Sequence, residues 1–174
     1  GSGHLWLPPV IPDPYRSDRA YLGGGSLDGS GANIIQLTVA AGDFVPVEWP
    51  LDFSEGGNAA ISAMAISPLD SNRWYVMTDE GAFFSSHNGG AQWTKSLASS
   101  LPSPQYFYGN TILPSPSQAG RVYIGGSGYS NSPVFVSDDY GLTFSPLDSA
   151  LPSSLVYDLA STQDGNMVFA ATSV

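Results

Sequence analysis

The chain has 174 residues, enough for one sizeable core. Five Lys and Arg stand against 15 Asp and Glu, and the resulting net charge of −10 argues against a nucleic-acid backbone or an anionic membrane as partner. No cysteine is present, so a disulfide framework and a cysteine-rich metal site are both excluded, and no apolar run reaches the roughly 18 residues of a membrane-spanning helix. A charged fraction of 11% with 20 Gly and 14 Pro fits an all-β chain with many turns, and helix formers never build a sustained stripe of period 3.6.

In chain order, His4, Leu5, Trp6, Leu7 and Pro8 read as one short strand over 4–8. Pro8, Pro9, Pro12 and Pro14 then interrupt pairing, so 8–18 reads as a Pro-rich extended connector. From Arg19 the chain repeats itself. Arg19-Ala20-Tyr21, Arg73-Trp74-Tyr75 and Arg121-Val122-Tyr123 share Arg followed by Tyr two places on, and Asn166 to Ala171 is a fourth version. The later copies follow apolar strands at Ile61 to Ile66, Thr111 to Leu113 and Val156 to Ala160. Ser67-Pro68 and Ser115-Pro116 close two of these strands, and Gln163-Asp164-Gly165 supplies the turn in the last.

Each repeat therefore reads as four strands, A to D. In the second repeat they are expected at 60–67, 73–79, 81–87 and 92–97, and in the third at 109–115, 121–126, 133–138 and 143–147. Between strands C and D lies Ser137-Asp138-Asp139-Tyr140-Gly141-Leu142-Thr143-Phe144, of the form Ser-x-Asp-x-Gly-x-x-aromatic. Ser86-His87-Asn88-Gly89-Gly90-Ala91-Gln92-Trp93 is its near copy about fifty residues upstream, and Thr38 to Gly42 is a degenerate third. The residue types suit a hairpin. Ser86, Asn88, Ser137 and Asp139 can accept backbone N–H groups, Gly90 and Gly141 can take positive φ, and Trp93 and Phe144 supply apolar surface. Asp139 thus reads as a turn staple rather than a catalytic acid.

These two copies resemble the Asp-box of sialidases, sortilin-type receptors and xyloglucanases, although Asn88 stands where the family usually has Asp. The resemblance implies a β-propeller of four-stranded antiparallel blades. About three and a half blades are expected: an incomplete one over 4–52, complete ones over 58–98 and 108–150, and an incomplete one over 153–174. A closed propeller needs roughly four to eight blades. The expected partner is therefore a complementary propeller half, whether a second copy, a second chain or a continuation of this one.

The resemblance also implies that Asp-box turns sit on one face of the disc and ligands bind on the other, on the B–C and D–A loops. There lie Gly23 to Gly31, Gly125 to Ser132, Asp52 to Asn58 and Ser99 to Tyr108. Tyr106, Phe107, Tyr108 and Tyr129 are the expected ligand-binding aromatics. The candidate carboxylates are Asp28, Asp52, Glu55, Asp79 and Glu80. Thr78-Asp79-Glu80-Gly81 is similar to a segment of xyloglucanase-type propellers, which implies a catalytic role for Asp79; the same segment also serves non-enzymatic blades as a strand connection. Sialidase chemistry fits less well. It needs three converging arginines, and Arg19, Arg73 and Arg121 instead recur at one strand-start position. Gly23-Gly24-Gly25 lacks the Lys-Ser/Thr of a phosphate loop, Asp28 lacks calcium-loop spacing, and His4 and His87 fall in different repeats. No cofactor or metal is implied. The sequence leads to an extracellular or cell-surface recognition module for carbohydrate or a surface partner, with a share in a glycoside hydrolase as the alternative.

Overall fold

A computed structural model describes residues 4–102, 109–126, 132–147 and 151–173. The fold is all-β, with three four-stranded antiparallel sheets and one two-stranded sheet. The first sheet holds β1 (Val10–Pro12), β2 (Arg19–Gly23), β3 (Ile34–Ala40) and β4 (Asp43–Glu48). The second holds β5 (Ile61–Ile66), β6 (Trp74–Thr78), β7 (Phe83–Ser86) and β8 (Thr94–Lys95). The third holds β9 (Thr111–Pro114), β10 (Val122–Gly125), β11 (Val134–Ser137) and β12 (Ser145–Pro146), and the last pairs β13 (Val156–Ser161) with β14 (Val168–Thr172). In every sheet the strands are laid down in chain order.

One expectation is corrected. The first strand is not at 4–8 but inside the Pro-rich stretch, where β1 pairs Val10 with Leu22, Ile11 with Tyr21 and Pro12 with Ala20. The first blade therefore has four strands. A strand paired on one side only tolerates proline, because the missing N–H leaves no ladder bond unmade.

The blades pack as wedges through three clusters of buried side chains, one per seam. Tyr21, Ile34, Phe53, Ile61, Trp74 and Phe84 fill the first seam. Tyr75, Met77, Phe83, Ile124, Phe135 and Phe144 are among those filling the second. Tyr123, Val134, Val156 and Leu159 fill the third. The two inner blades are thus covered on both faces, and their central strands are buried throughout, at Trp74–Thr78 and at Val122–Gly125.

The two end blades each have one uncovered face. Register places Val10, Leu22, Leu37, Val39 and Phe44 together on the outer face of the first sheet, and Phe44 is 73% exposed. On the last sheet Ala160 lies opposite Phe169, which is 55% exposed. Contiguous apolar surface of this kind is uncommon on the outside of a folded domain. Among the described residues no helix is long and apolar enough to cross a membrane.

Two sets of turns alternate between the faces of the arc. The A–B and C–D turns share one face, tied together by Gly89 N–H donating to the Asn72 carbonyl (3.0 Å) and Tyr140 N–H to the Gly120 carbonyl (2.9 Å). The B–C and D–A loops form the opposite face.

Candidate functional site

On the turn face, the two Asp-box copies make the same bonds. Ser86 Oγ accepts Gly90 N–H at 3.0 Å and Asn88 N–H at 3.3 Å, and Ser137 Oγ accepts Gly141 N–H at 2.8 Å and Asp139 N–H at 3.2 Å. Each serine hydroxyl then donates to the acid or amide two residues on, Asn88 Oδ1 at 3.0 Å and Asp139 Oδ1 at 2.7 Å. That same oxygen accepts the N–H four residues further, from Gln92 and from Thr143, both at 2.9 Å. Burial works against ionisation of Asp139, but the Thr143 hydroxyl and N–H and the Ser137 hydroxyl outweigh it and hold the carboxyl below its ordinary value.

The glycine of each copy is required by its neighbour across the seam. A Cβ on Gly90 would lie 2.0 Å from the Trp49 ring, and one on Gly141 would lie 2.4 Å from Phe83; both residues also have positive φ, 87° and 82°. The aromatic of each copy then wedges into the same seam. Trp93 meets Phe53 edge-on at 4.9 Å, and Phe144 meets Phe83 at 4.8 Å. These eight residues are committed to hydrogen bonds or packing, and this face holds the blades together.

The opposite face is built differently. Asn33, buried in the B–C loop of the first blade, donates to the carbonyls of Trp49 (3.0 Å) and Leu51 (3.1 Å) and so fixes the D–A loop beside it. Asp52 completes the junction. Its Oδ1 accepts Ala32 N–H and Ser54 N–H, both at 2.9 Å, and the Ser54 hydroxyl at 2.7 Å. Burial raises its pKa, but the Ala32 and Ser54 bonds prevail and hold the carboxyl below the usual range.

Asp79 occupies the tight B–C turn of the second blade. Its Oδ1 accepts Ala60 N–H at 2.8 Å while its own N–H donates to the Ala60 carbonyl at 2.9 Å, so it pins the start of β5. Its other oxygen carries no hydrogen bond among the described residues. Asp79 and Asp52 line one hollow of about 270 Å³, with Ser30, Gly31, Ser54, Gly57 and Asn58. A second hollow of about 220 Å³ adjoins it at Ser54 and contains Glu55, Thr78, Glu80 and Lys95. Lys95 forms an ion pair with Glu55 across the seam. Both volumes fall below the roughly 300–1,000 Å³ of a drug-sized pocket, so each accommodates a small group and a longer ligand would run across both.

The structure thus brings Asp52, Glu55, Asp79 and Glu80 to one face between the first two blades. Asp28 lies on an exposed turn and interacts there with Ser26 (3.1 Å). The proposed binding aromatics Tyr106, Phe107, Tyr108 and Tyr129 lie outside the described residues. Trp6, not singled out as a binding residue from sequence, is 95% exposed two residues from His4, which lines the larger hollow. Among the described residues no three His, Cys, Asp or Glu gather as a metal site.

No family model matches the chain, and no curated protein matches it. Solved structures do. The GH74 enzyme of Niastella koreensis aligns with a TM-score of 0.68 and 22% identity, covering 94% of this chain and 25% of that one. The GH74 xyloglucanase of Xanthomonas campestris aligns with a TM-score of 0.64 and 16% identity, over 94% of this chain and 26% of that one. YCF48 bound to D1 peptide aligns with a TM-score of 0.57 and 13% identity, over 99% of this chain and 55% of that one. At these identities the likeness shows the fold: this chain matches part of β-propeller structures, spanning about a quarter of the GH74 chains and about half of the YCF48 chain.

Proposed function

We propose that the chain is the polysaccharide-recognising part of an extracellular β-propeller, with the two hollows between its first blades as the binding surface. The observation that carries this reading is the Asp79 carboxylate. One oxygen is fixed by Ala60 N–H, the other has no hydrogen bond among the described residues, and the residue lines a hollow rich in glycine and hydroxyl groups. A carboxylate with a free acceptor, held rigidly beside exposed backbone, suits a ligand that presents many O–H donors. The adjoining Glu55, Glu80 and Lys95 extend the polar floor.

Titration calorimetry of the 174-residue chain with xyloglucan and β-glucan oligosaccharides tests this. Saturable binding that weakens about tenfold in Asp79→Asn supports it, since Asn keeps the acceptor for Ala60 N–H but loses the charge. A folded chain that binds none of the panel removes the reading.

A second reading is favoured by the position of Asp79 in Thr78-Asp79-Glu80-Gly81 together with the fold shared with GH74 enzymes. In it Asp79 is one acid of a hydrolytic pair, and further blades supply the other. The uncovered apolar faces of the two end sheets support the presence of such blades. Turnover of xyloglucan by the ring-completed protein, lost in Asp79→Asn with binding retained, separates catalysis from recognition.

A further inference from the structure

The three seam arginines start from one sequence position and end in different environments. Arg19, Arg73 and Arg121 each follow an A–B turn closed by the same bond, from the N–H of Asp13, Ser67 or Ser115 to the arginine carbonyl (3.0, 2.9 and 2.9 Å). Arg73 has two partners. Its guanidinium carbon lies 4.0 Å from the centre of the Tyr140 ring, which belongs to the Asp-box turn of the next blade, and its Nε faces Asp70 at 3.8 Å. Arg121 has an acid, Asp138, at 2.6 Å.

At Arg19 both kinds of partner are missing. The place of Asp70 in the turn is taken by Arg16, which is occupied with Asp18 at 3.0 Å. The place of Tyr140 in the next Asp-box is taken by Gly89. Arg19 Nε is buried with no hydrogen-bond partner, although the guanidinium also interacts with the Tyr21 hydroxyl, and among the described residues no ring lies over it. Where the ring would stand there is a cavity of about 280 Å³, walled by Arg19, Gly89, Tyr21, Trp49 and Trp74. Its aromatic walls support one another, with Tyr21 edge-on to Trp74 at 4.5 Å and Trp49 at 4.9 Å from Trp74. The nearby acid, Asp13, accepts the Tyr21 hydroxyl at 2.8 Å and Tyr15 N–H at 2.9 Å.

We infer that this cavity, on the face opposite the carboxylate hollows, is a docking site for an aromatic side chain of a peptide partner, which stacks on Arg19 as Tyr140 stacks on Arg73. The internal precedent sets the chemistry: the group that covers the equivalent guanidinium is a tyrosine ring delivered by a turn. Cation–π attraction is strongest where the cation is desolvated and held beside other rings. The cavity, of about 280 Å³, has room for a single ring. Asp13 and Arg16 also line the cavity, Arg16 already paired with Asp18, so a neutral ring can enter without a counter-charge of its own.

The probe is N-acetyl-tyrosine amide, titrated into the labelled chain while the indole N–H resonances of Trp49 and Trp74 and the Arg19 side-chain N–H are followed. The expected result is a saturable shift of all three. N-acetyl-cyclohexylalanine amide, which has a saturated ring of similar size, should bind about tenfold more weakly. Gly89→Tyr should fill the cavity from within and abolish the shifts, since position 140 shows that tyrosine is accepted there at a φ of 62° against 70° at Gly89. Arg19→Gln should weaken binding by about tenfold and tests the site independently of Gly89. No saturable shift in the wild-type chain, equal binding of the saturated analogue, or undiminished binding to both variants would overturn the inference.

Discussion

On the turn face, Ser86 and Ser137 each gather the same set of N–H groups, and Gly90 and Gly141 each clear the way for an aromatic ring from the preceding blade. On the loop face no such copy exists. Asn33 and Asp52 fix the loops of the first blade, Asp79 ties the B–C turn of the second blade to the start of β5, and Asn110 donates to the Val156 carbonyl of the last sheet. The Asp-box side chains Ser86, Asn88, Ser137 and Asp139 bond to their own turns, whereas Asp79 on the loop face leaves an oxygen without a hydrogen bond among the described residues. Repetition is found here where every blade must meet its neighbour in the same way; the loop face has no such requirement and diverges.

Substitutions on the two faces should separate these roles. The largest effect is expected from Phe144→Ala, which empties the centre of the second seam and should lower stability by about 3–5 kcal/mol in chemical denaturation. Trp93→Ala, whose ring is half-buried, should cost about 2–3 kcal/mol. Equal, negligible losses would break the claim that the Asp-box aromatics join the blades. Gly141→Ala comes next, at about 2–4 kcal/mol, because a Cβ collides with Phe83 and the residue has positive φ.

Asp139→Asn is expected to change stability near neutral pH by less than about 1 kcal/mol, because Asn88 makes the equivalent bonds in the upstream copy. Its signature is in the pH dependence. The folded carboxyl titrates below its unfolded value of roughly 3.9, so the folded state binds fewer protons there. Its contribution is complete above about pH 5 and is lost as the pH falls through the folded pKa. Asn should flatten that acid limb, and an unchanged limb would assign it to other carboxylates. The smallest effect is expected on the loop face. Gly29→Ala meets nothing within 4 Å and should shift stability by no more than about 0.5 kcal/mol.

The strands legible in the sequence were those whose turns repeat. Ile61–Ile66 is where the apolar run and Ser67-Pro68 placed it, and Val134–Ser137 lies within the span expected from the motif that follows. Prolines dominate 8–18 and mask the first strand, yet Asp13-Pro14 stands six residues before Arg19 as Ser67-Pro68 stands before Arg73. That alignment puts a strand directly ahead of Asp13, which is where β1 lies. The outer strands β8 and β12 are two residues each, shorter than expected, because Trp93 and Phe144 turn into the seams instead of extending the ladder. The carboxylates of the loop face could be named from sequence, but not grouped. Asp52 and Asp79 meet only through the angle between blades, which no local pattern encodes. The Arg19 cavity was hidden for a related reason: it arises from Arg16 and Gly89, far apart in the chain, each differing from its own repeat equivalent.

The outer strand of each complete blade presents an unpaired rim that could recruit strands from other molecules. In β4 the rim carries Pro46, in β12 it carries Pro146, and β8 is only Thr94 and Lys95. Proline removes a donor from the exposed ladder, and a lysine would be buried unfavourably by an incoming strand. The rim is thereby guarded against intermolecular β-stacking and aggregation even where Phe44, Val45 and Val47 make β4 apolar and exposed. Growth by edge addition is disfavoured at the three four-stranded sheets, whereas β14 carries neither proline nor lysine, so that edge and the flat faces of the end blades are the surfaces left open to added strands or blades.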